Sequence, residues 1–454
     1  GVLYVLDEPS IGLHPANIDG LLGVMRDLLA DGNSVVMVDH DTRILAEADW
    51  LVEMGPVAGA GGGRVIAEGT VDEVSHDPKS RIAPFLANAG RGRDALAGTE
   101  SSRDLSTHPA GADSTPEVAC EFDPFDLGRI HLETSAIHTV KPLSVDIPRG
   151  RLVVVTGVSG SGKTTLVLES LIPALNAAAA GTPPPAHVRG VEAEGIRRAE
   201  LIDSSPIGIN VRSTVATYAG VHDELRRAFA RTEDAKQAGY KAGDFSYNTG
   251  KLRCPTCDGT GQISLDVQFL PDVDIPCPSC RGSRYAAFAS AIRRTSKDGS
   301  ALSLPQLMAM SVDEAIEATL GLKRVQTRLQ TLSSLGLGYL TLGEATPALS
   351  GGEAQRLKLA SEMGRAQDDT VFVFDEPTIG LHPLDVQTLL GVFDGLVSRG
   401  ATIVVIEHDL DVIHAADYVI DLGPGGGEHG GRIVATGTPK QIAENPESVT
   451  GRYL

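Results

Sequence analysis

Apolar runs broken by paired acids and glycine-rich turns set the outline of this chain. Two such runs lead directly into Asp-Glu, at Asp7-Glu8 and at Asp375-Glu376. Each reads as a buried strand that ends in two carboxylates. LVVVT (152–156) is a short β-branched run suited to another buried strand, and TTLVLESLI after the next loop has the apolar spacing of a helix. TIVVIE (402–407) is a further apolar run, and AQRLKLASEM follows a Ser-Gly-Gly start. Between them lie a Gly/Ser/Thr/Pro-rich stretch over 86–125, which reads as a mobile linker, and the breaker-rich AAAAGTPPPAH (177–187). Strands alternating with helices predict an α/β chain with a mainly parallel sheet covered on both faces.

The chain repeats itself. VLDEPSIGLHP (5–15) returns as VFDEPTIGLHP (373–383), and a constant offset of 368 holds from Asp7 to Gly69. Asp7, Glu8 and His40 of the first copy therefore match Asp375, Glu376 and His408 of the second. The chemistry of the pair is legible. The first carboxylate can hold Mg²⁺ through water, and the second can polarise an attacking water.

GVSGSGKTT (157–165) satisfies the phosphate-loop pattern in a strand–loop–helix setting. Gly157, Ser159, Gly160 and Gly162 let backbone N–H groups close around phosphates. Lys163 reaches the β/γ-phosphates, Thr164 binds Mg²⁺ with Asp375, and Thr165 opens the helix. Ser350, Gly351 and Gly352 in LSGGE resemble the signature of ABC-type ATPases, a helix N-terminus that caps the γ-phosphate of an ATP held by an opposing domain. His408, after the 402–407 run, sits where such enzymes carry a γ-phosphate-sensing histidine.

Cys254, Cys257, Cys277 and Cys280 form two C-x₂-C pairs with nineteen residues between them. That pattern reads as one tetrahedral Cys₄ zinc site, with two disulfides as the alternative. Cys120 lies apart in a polar, irregular stretch.

These motifs, with SSPIG (204–208) after Asp203, ATYAGV (216–221), CPTCDGTG, IPCPSC, RGSRY and DLGPGGG, closely resemble the UvrA family of excinuclease subunits and its UvrA-like paralogues. The resemblance covers nearly all of 128–454 and residues 1–75. It implies an ABC-type ATPase domain carrying an inserted zinc module, preceded by the C-terminal part of a first ABC domain. The expected divisions are 1–85 for that first part, 86–125 for the linker and 126–187 for the phosphate-loop part. The insert follows at 188–330, and 331–454 completes the second ABC domain. The implied function is a cytoplasmic ATP-hydrolysing subunit that recognises DNA damage in nucleotide excision repair, with ATP, Mg²⁺ and Zn²⁺ as cofactors. A UvrB-type subunit is an implied partner, although its usual docking region lies upstream of Gly1. The alternatives are an ABC ATPase in drug tolerance or transport and a non-hydrolysing DNA-binding module.

Three features qualify this picture. The chain opens at Gly1, already on an Asp-Glu strand, and reads as a fragment or a truncated product. Its one phosphate loop and one signature then belong to the same domain, so a complete composite site needs a second copy, and a homodimer is expected. Ser204 stands after Asp203 where the family usually has a catalytic-site Gln, and Asp39 stands where the second copy has Glu407. Finally, the net charge of −20 opposes DNA binding. Arg197, Arg198, Arg226, Arg227, Arg231, Lys251, Arg253, Arg281, Arg284, Arg293 and Arg294 are read either as a basic face or as ordinary solvated charge. The 42% hydrophobic content is ample for two or three cores, and no apolar run is long enough to span a membrane.

Overall fold

Both Asp-Glu segments form strands and pair alike, but only Thr370–Asp375 is buried as expected, while Leu3–Asp7 alternates exposed and half-buried residues because it pairs with the single strand Ser34–Val38. Leu3–Asp7 runs parallel to Ser34–Val38 with Asp7 opposite Val38. Thr370–Asp375 runs parallel to Thr402–Ile406 with Asp375 opposite Ile406, the same register displaced by the repeat offset. The architecture comes from a computed structural model that describes residues 1–55, 62–89, 122–208, 210–265, 273–296, 299–363 and 367–454. Most of the expected 86–125 linker, and Cys120 with it, lies outside the described residues.

The chain divides into two units. The first comprises Gly1–Gly162, His187–Glu194 and Ala416–Leu454. Here Tyr418–Gly423 lies between the parallel strand Leu152–Thr156 and the antiparallel strand Arg432–Gly437. Every residue of Leu152–Thr156 is buried, as its β-branched sequence predicts. Arg129–Thr134 pairs antiparallel with Leu143–Pro148 on one side and Val188–Glu192 on the other. Ile18, Leu22 and Met25 of the helix Pro15–Ala30 pack with Ile44. A second small core gathers Leu51, Ala67, Val74, Ile82 and Leu86.

The second unit comprises Lys163–Ala186 and Gly195–Ala415. Its strand Thr370–Asp375 is flanked in parallel by Thr402–Ile406 and Arg198–Ile202. The helix predicted after the phosphate loop is present, but Thr165–Leu171 is wound as a π-helix before the α-helix Ile172–Ala180 takes over. The Ser170 hydroxyl donates to the Thr165 carbonyl five residues back at 3.0 Å, which suits the wider turn. Among the described residues no helix is long and apolar enough to cross a membrane.

Candidate functional site

The loop Gly157–Gly162 closes the first unit's buried strand. Gly157 has φ +130°, and a Cβ there would fall 2.0 Å from the Leu422 carbonyl oxygen. Gly162 has φ +100°, with a Cβ only 2.6 Å from Val140 Cγ2. Neither position takes a side chain, so the loop keeps the conformation that turns successive N–H groups into one concavity. Ser159 and Gly160 are exposed at its tip. Thr164 is exposed at the helix entrance, while Thr165 is half-buried and its hydroxyl donates to Glu169 at 3.1 Å.

In the second unit, Lys163 is 6% exposed and acts electrostatically on Asp375. Burial, followed by the Glu376, Asp203 and Glu407 carboxylates, raises the Asp375 carboxyl above its ordinary value, and Lys163 opposes them. Asp203 is itself paired with Lys358, and Glu407 is taken up by hydrogen bonds from the neighbouring loops, which leaves Asp375, ringed by negative charge, as the carboxylate that fits a divalent cation.

Glu376 has φ +45°, a left-handed backbone that costs a non-glycine residue about 1 kcal/mol or more. Its N–H donates to the Ile406 carbonyl at 2.9 Å, which fixes that conformation. Its Oε1 lies 3.4 Å from Nε2 of buried His408. The first repeat reproduces the backbone and the Glu–His approach, with His40 half-exposed where His408 is buried. Glu8 has φ +46°, its N–H reaches the Val38 carbonyl at 2.7 Å, and its Oε1 lies 3.2 Å from His40 Nε2. Asp7 ends that strand as Asp375 ends the other.

Glu407, 3% exposed, holds this arrangement together. Its carboxylate accepts from the Thr378 N–H (2.9 Å) and hydroxyl (2.5 Å) on one side. On the other it accepts from the N–H groups of His408 (2.6 Å) and Asp409 (3.1 Å). Asp39 does the same for Ser10, His40 and Asp41. Gln355 is equally buried, and its side-chain amide donates to the Ile202 carbonyl at 2.7 Å, tying the signature helix to a neighbouring strand. Sequence reading passed over Glu407 and Gln355 as catalytic supports, although the Asp39/Glu407 pairing within the repeat was a usable signal.

Ser350 caps the helix Gly351–Glu362 in a reciprocal box: Glu353 N–H donates to Ser350 Oγ at 3.3 Å and Ser350 N–H to Glu353 Oε2 at 2.7 Å. Gly351 and Gly352 follow with no side chain over the helix N-terminus. Ser204 is exposed beside this tip; a Cβ on Gly351 would come within 3.1 Å of Ser204 Cβ. Burial works against ionisation of the neighbouring Asp203, but hydrogen bonds from Lys358 and Ser205 outweigh it and hold the carboxyl below its ordinary value.

The four cysteines converge. Their sulfurs all lie within 4.8 Å of one another, with Cys254–Cys277 at 3.9 Å and Cys257–Cys280 at 3.6 Å. A tetrahedron of thiolates around a metal with bonds of about 2.3 Å has edges of about 3.8 Å. A disulfide needs about 2.05 Å, so the disulfide alternative fails. Burial pushes the Cys277 thiol up, but N–H groups of Cys280 and Ser279 prevail and hold it to about 7. Cys280 is pushed up to about 12, chiefly by burial, so its thiolate would form against a cation bound there.

The arginines of the insert do not form a uniformly free basic face. Arg226 pairs with Asp223, Arg227 with Glu224 at 3.0 Å and Arg253 with Asp258 at 3.0 Å. Arg284 is buried, lies over the Tyr247 ring at 5.3 Å and donates to the Val211 carbonyl at 2.8 Å.

A glycine loop before a buried lysine, an Asp-Glu strand end, a seated histidine and a serine-capped signature helix together define the fold of an ATP-binding-cassette ATPase. No family model matches the chain. It is 42% identical to UvrABC system protein A of Lactiplantibacillus plantarum over 457 residues, which take in all of this chain and 45% of that protein. The crystal structure of UvrA2 from Deinococcus radiodurans matches with a TM-score of 0.82 at 41% identity, over 100% of this chain and 51% of that one. A ribosome-bound archaeal Pelota–ABCE1 model matches at a TM-score of 0.50 and 16% identity, over 98% of this chain and 54% of that chain, a likeness of fold alone. The chain is similar to UvrA proteins along its whole length and spans about half the length of the relatives it matches.

Proposed function

We propose that this chain binds and hydrolyses ATP, and that it does so as part of a UvrA-type protein recognising DNA damage in nucleotide excision repair. The observation that carries the reading is the left-handed Glu376 held against His408 beside Asp375, reproduced at Glu8 and His40. Lys163 and the N–H groups of Gly157, Ser159, Gly160 and Gly162 receive the phosphates. Thr164 and Asp375 would hold Mg²⁺, which when bound would supply positive charge to the phosphoryl oxygens. Glu376 polarises the attacking water, and His408 orients toward the γ-phosphate. Ser204 is shorter than the family's glutamine and would reach that water through a second one. Ser350, Gly351 and Gly352 serve an ATP held by an opposing domain, so two copies of the chain, or a second ABC domain, complete each site. Cys254, Cys257, Cys277 and Cys280 hold one structural Zn²⁺. DNA and a UvrB-type subunit are the partners, and the cytoplasm the compartment. Likeness to UvrA across the whole chain, cysteine-bearing insert included, supports this over a transport role.

Glu376→Gln is the test. It should keep nucleotide binding and lower turnover by about a thousandfold, because an amide cannot take the water's proton. Turnover within threefold of the unaltered chain would exclude Glu376 as the base.

A further inference from the structure

The internal repeat continues past Gly69, and the place where it breaks down is informative. HDPKSRIAPFL (76–86) and ENPESVTGRYL (444–454) keep the same offset. Their hydrogen bonds also match. Lys79 N–H reaches Asp77 Oδ1 at 2.8 Å as Glu447 N–H reaches Asn445 Oδ1 at 2.9 Å. Ala83 N–H donates to Ser80 Oγ at 3.0 Å as Gly451 N–H donates to Ser448 Oγ at 2.8 Å. Two of the substitutions within this shared backbone bear on the first repeat's helix. Ile82, a core residue of the first copy, becomes Thr450, and Phe85 becomes Tyr453. Both changes add a hydroxyl.

Both hydroxyls engage the helix Pro15–Ala30 of the first repeat. His14 caps that helix, its Nδ1 accepting the Ala16 N–H at 3.2 Å. That leaves the proton on Nε2, which donates to Thr450 Oγ1 at 3.0 Å. Thr450 in turn donates to Asp421 at 3.1 Å, beside a 2.5 Å bond from Ser448. His14, Thr450 and Ser448 are fully buried, and Asp421 is 2% exposed. Tyr453 donates its phenol to Asp19 at 2.6 Å on the same helix and meets the His14 ring edge-on at 6.2 Å. Asp421 sits opposite Thr156 on the strand beside the phosphate loop, and its neighbour Leu422 is what crowds Gly157.

We propose that Ser448–Leu454 is a clasp, in which Thr450 and Tyr453 are positioning residues that fix the loop and helix after the first Asp-Glu pair and register them against the start of the phosphate loop. Ile82 and Phe85 carry no such hydroxyls. The phosphate-loop role rests on the ATP reading above; the clasp does not.

Hydrogen–deuterium exchange on the full chain tests this without ATP. Thr450→Val with Tyr453→Phe should speed exchange of residues 16–20 and of the 157–161 loop by about tenfold, the effect of losing roughly one net hydrogen bond. Thr450→Ser should behave as the unaltered chain. Tyr453→Phe alone, which removes only an exposed bond, should move 16–20 in the same direction if the double variant does not fold. Unchanged exchange at 16–20 would overturn the clasp. Faster exchange there with an unmoved 157–161 loop would overturn its link to the phosphate loop. Failure of ATP turnover would leave both outcomes readable.

Discussion

Glu407→Gln should open the Thr378 and His408 loops without replacing any residue of the proposed mechanism. The native carboxylate takes four hydrogen bonds from two segments, two from Thr378 and two from the His408–Asp409 backbone. A glutamine can point its oxygen at only one side. Facing His408 and Asp409, it keeps those two bonds as neutral ones. Its amide then faces Thr378, whose hydroxyl can rotate to accept but whose N–H has no acceptor left. One charged bond to a backbone N–H is lost, and three others drop from charge-assisted to neutral strength. At about 1 kcal/mol for each weakened bond and up to about 2 for the lost one, and with partial relaxation, the loop is destabilised by about 3 kcal/mol. Exchange of the Thr378 amide should then rise by about a hundredfold. Peptide-level hydrogen exchange over 376–384 and 405–411 reads this directly, and turnover should fall as His408 loses its seat. Exchange within threefold of the unaltered chain in both peptides would refute the argument that this carboxylate couples the two loops.

Purified protein should contain about one zinc per chain, and Cys257→Ser should lose it, as elemental analysis under reducing conditions would show; absence of metal in the unaltered chain would overturn the Cys₄ assignment. The hydrogen bond to Asp146, at 2.6 Å, raises the His131 imidazole above its ordinary value against the opposing effect of burial. Its contribution to stability should therefore be complete below about pH 6.5 and be lost as pH rises through the raised folded value, a dependence that His131→Gln should abolish in an NMR titration and in unfolding curves.

Strand identity was legible because LVVVT and TIVVI are β-branched at every position but Leu152, and both proved buried along their length. The cysteine pairs were legible because C-x₂-C spacing leaves few other outcomes. Glu376 was legible as a carboxylate but not as a left-handed residue, since nothing in its type or neighbours requests positive φ. Only the Glu376 N–H bond to Ile406 and the strand end impose it. Gln355 was invisible for a different reason, whereas the repeat flagged Glu407 through Asp39. Polar residues that end up buried are chosen by partners distant in sequence, and no local pattern encodes them. The π-turn at Thr165–Leu171 likewise leaves the apolar spacing of a helix intact. The continuation of the repeat to Leu86 and Leu454 was masked by substitutions and recovered from matched hydrogen bonds.

The positive φ at Glu376 and at Glu8 sets two selective pressures against each other. Glycine at either position would relax the backbone and, by that measure, make a sturdier fold. It would also delete the carboxylate. A laboratory evolution experiment that rewarded heat resistance alone should therefore drift toward glycine at both sites. On the catalytic role proposed for Glu376, that drift would silence its site, so the glutamate there exchanges durability for chemistry.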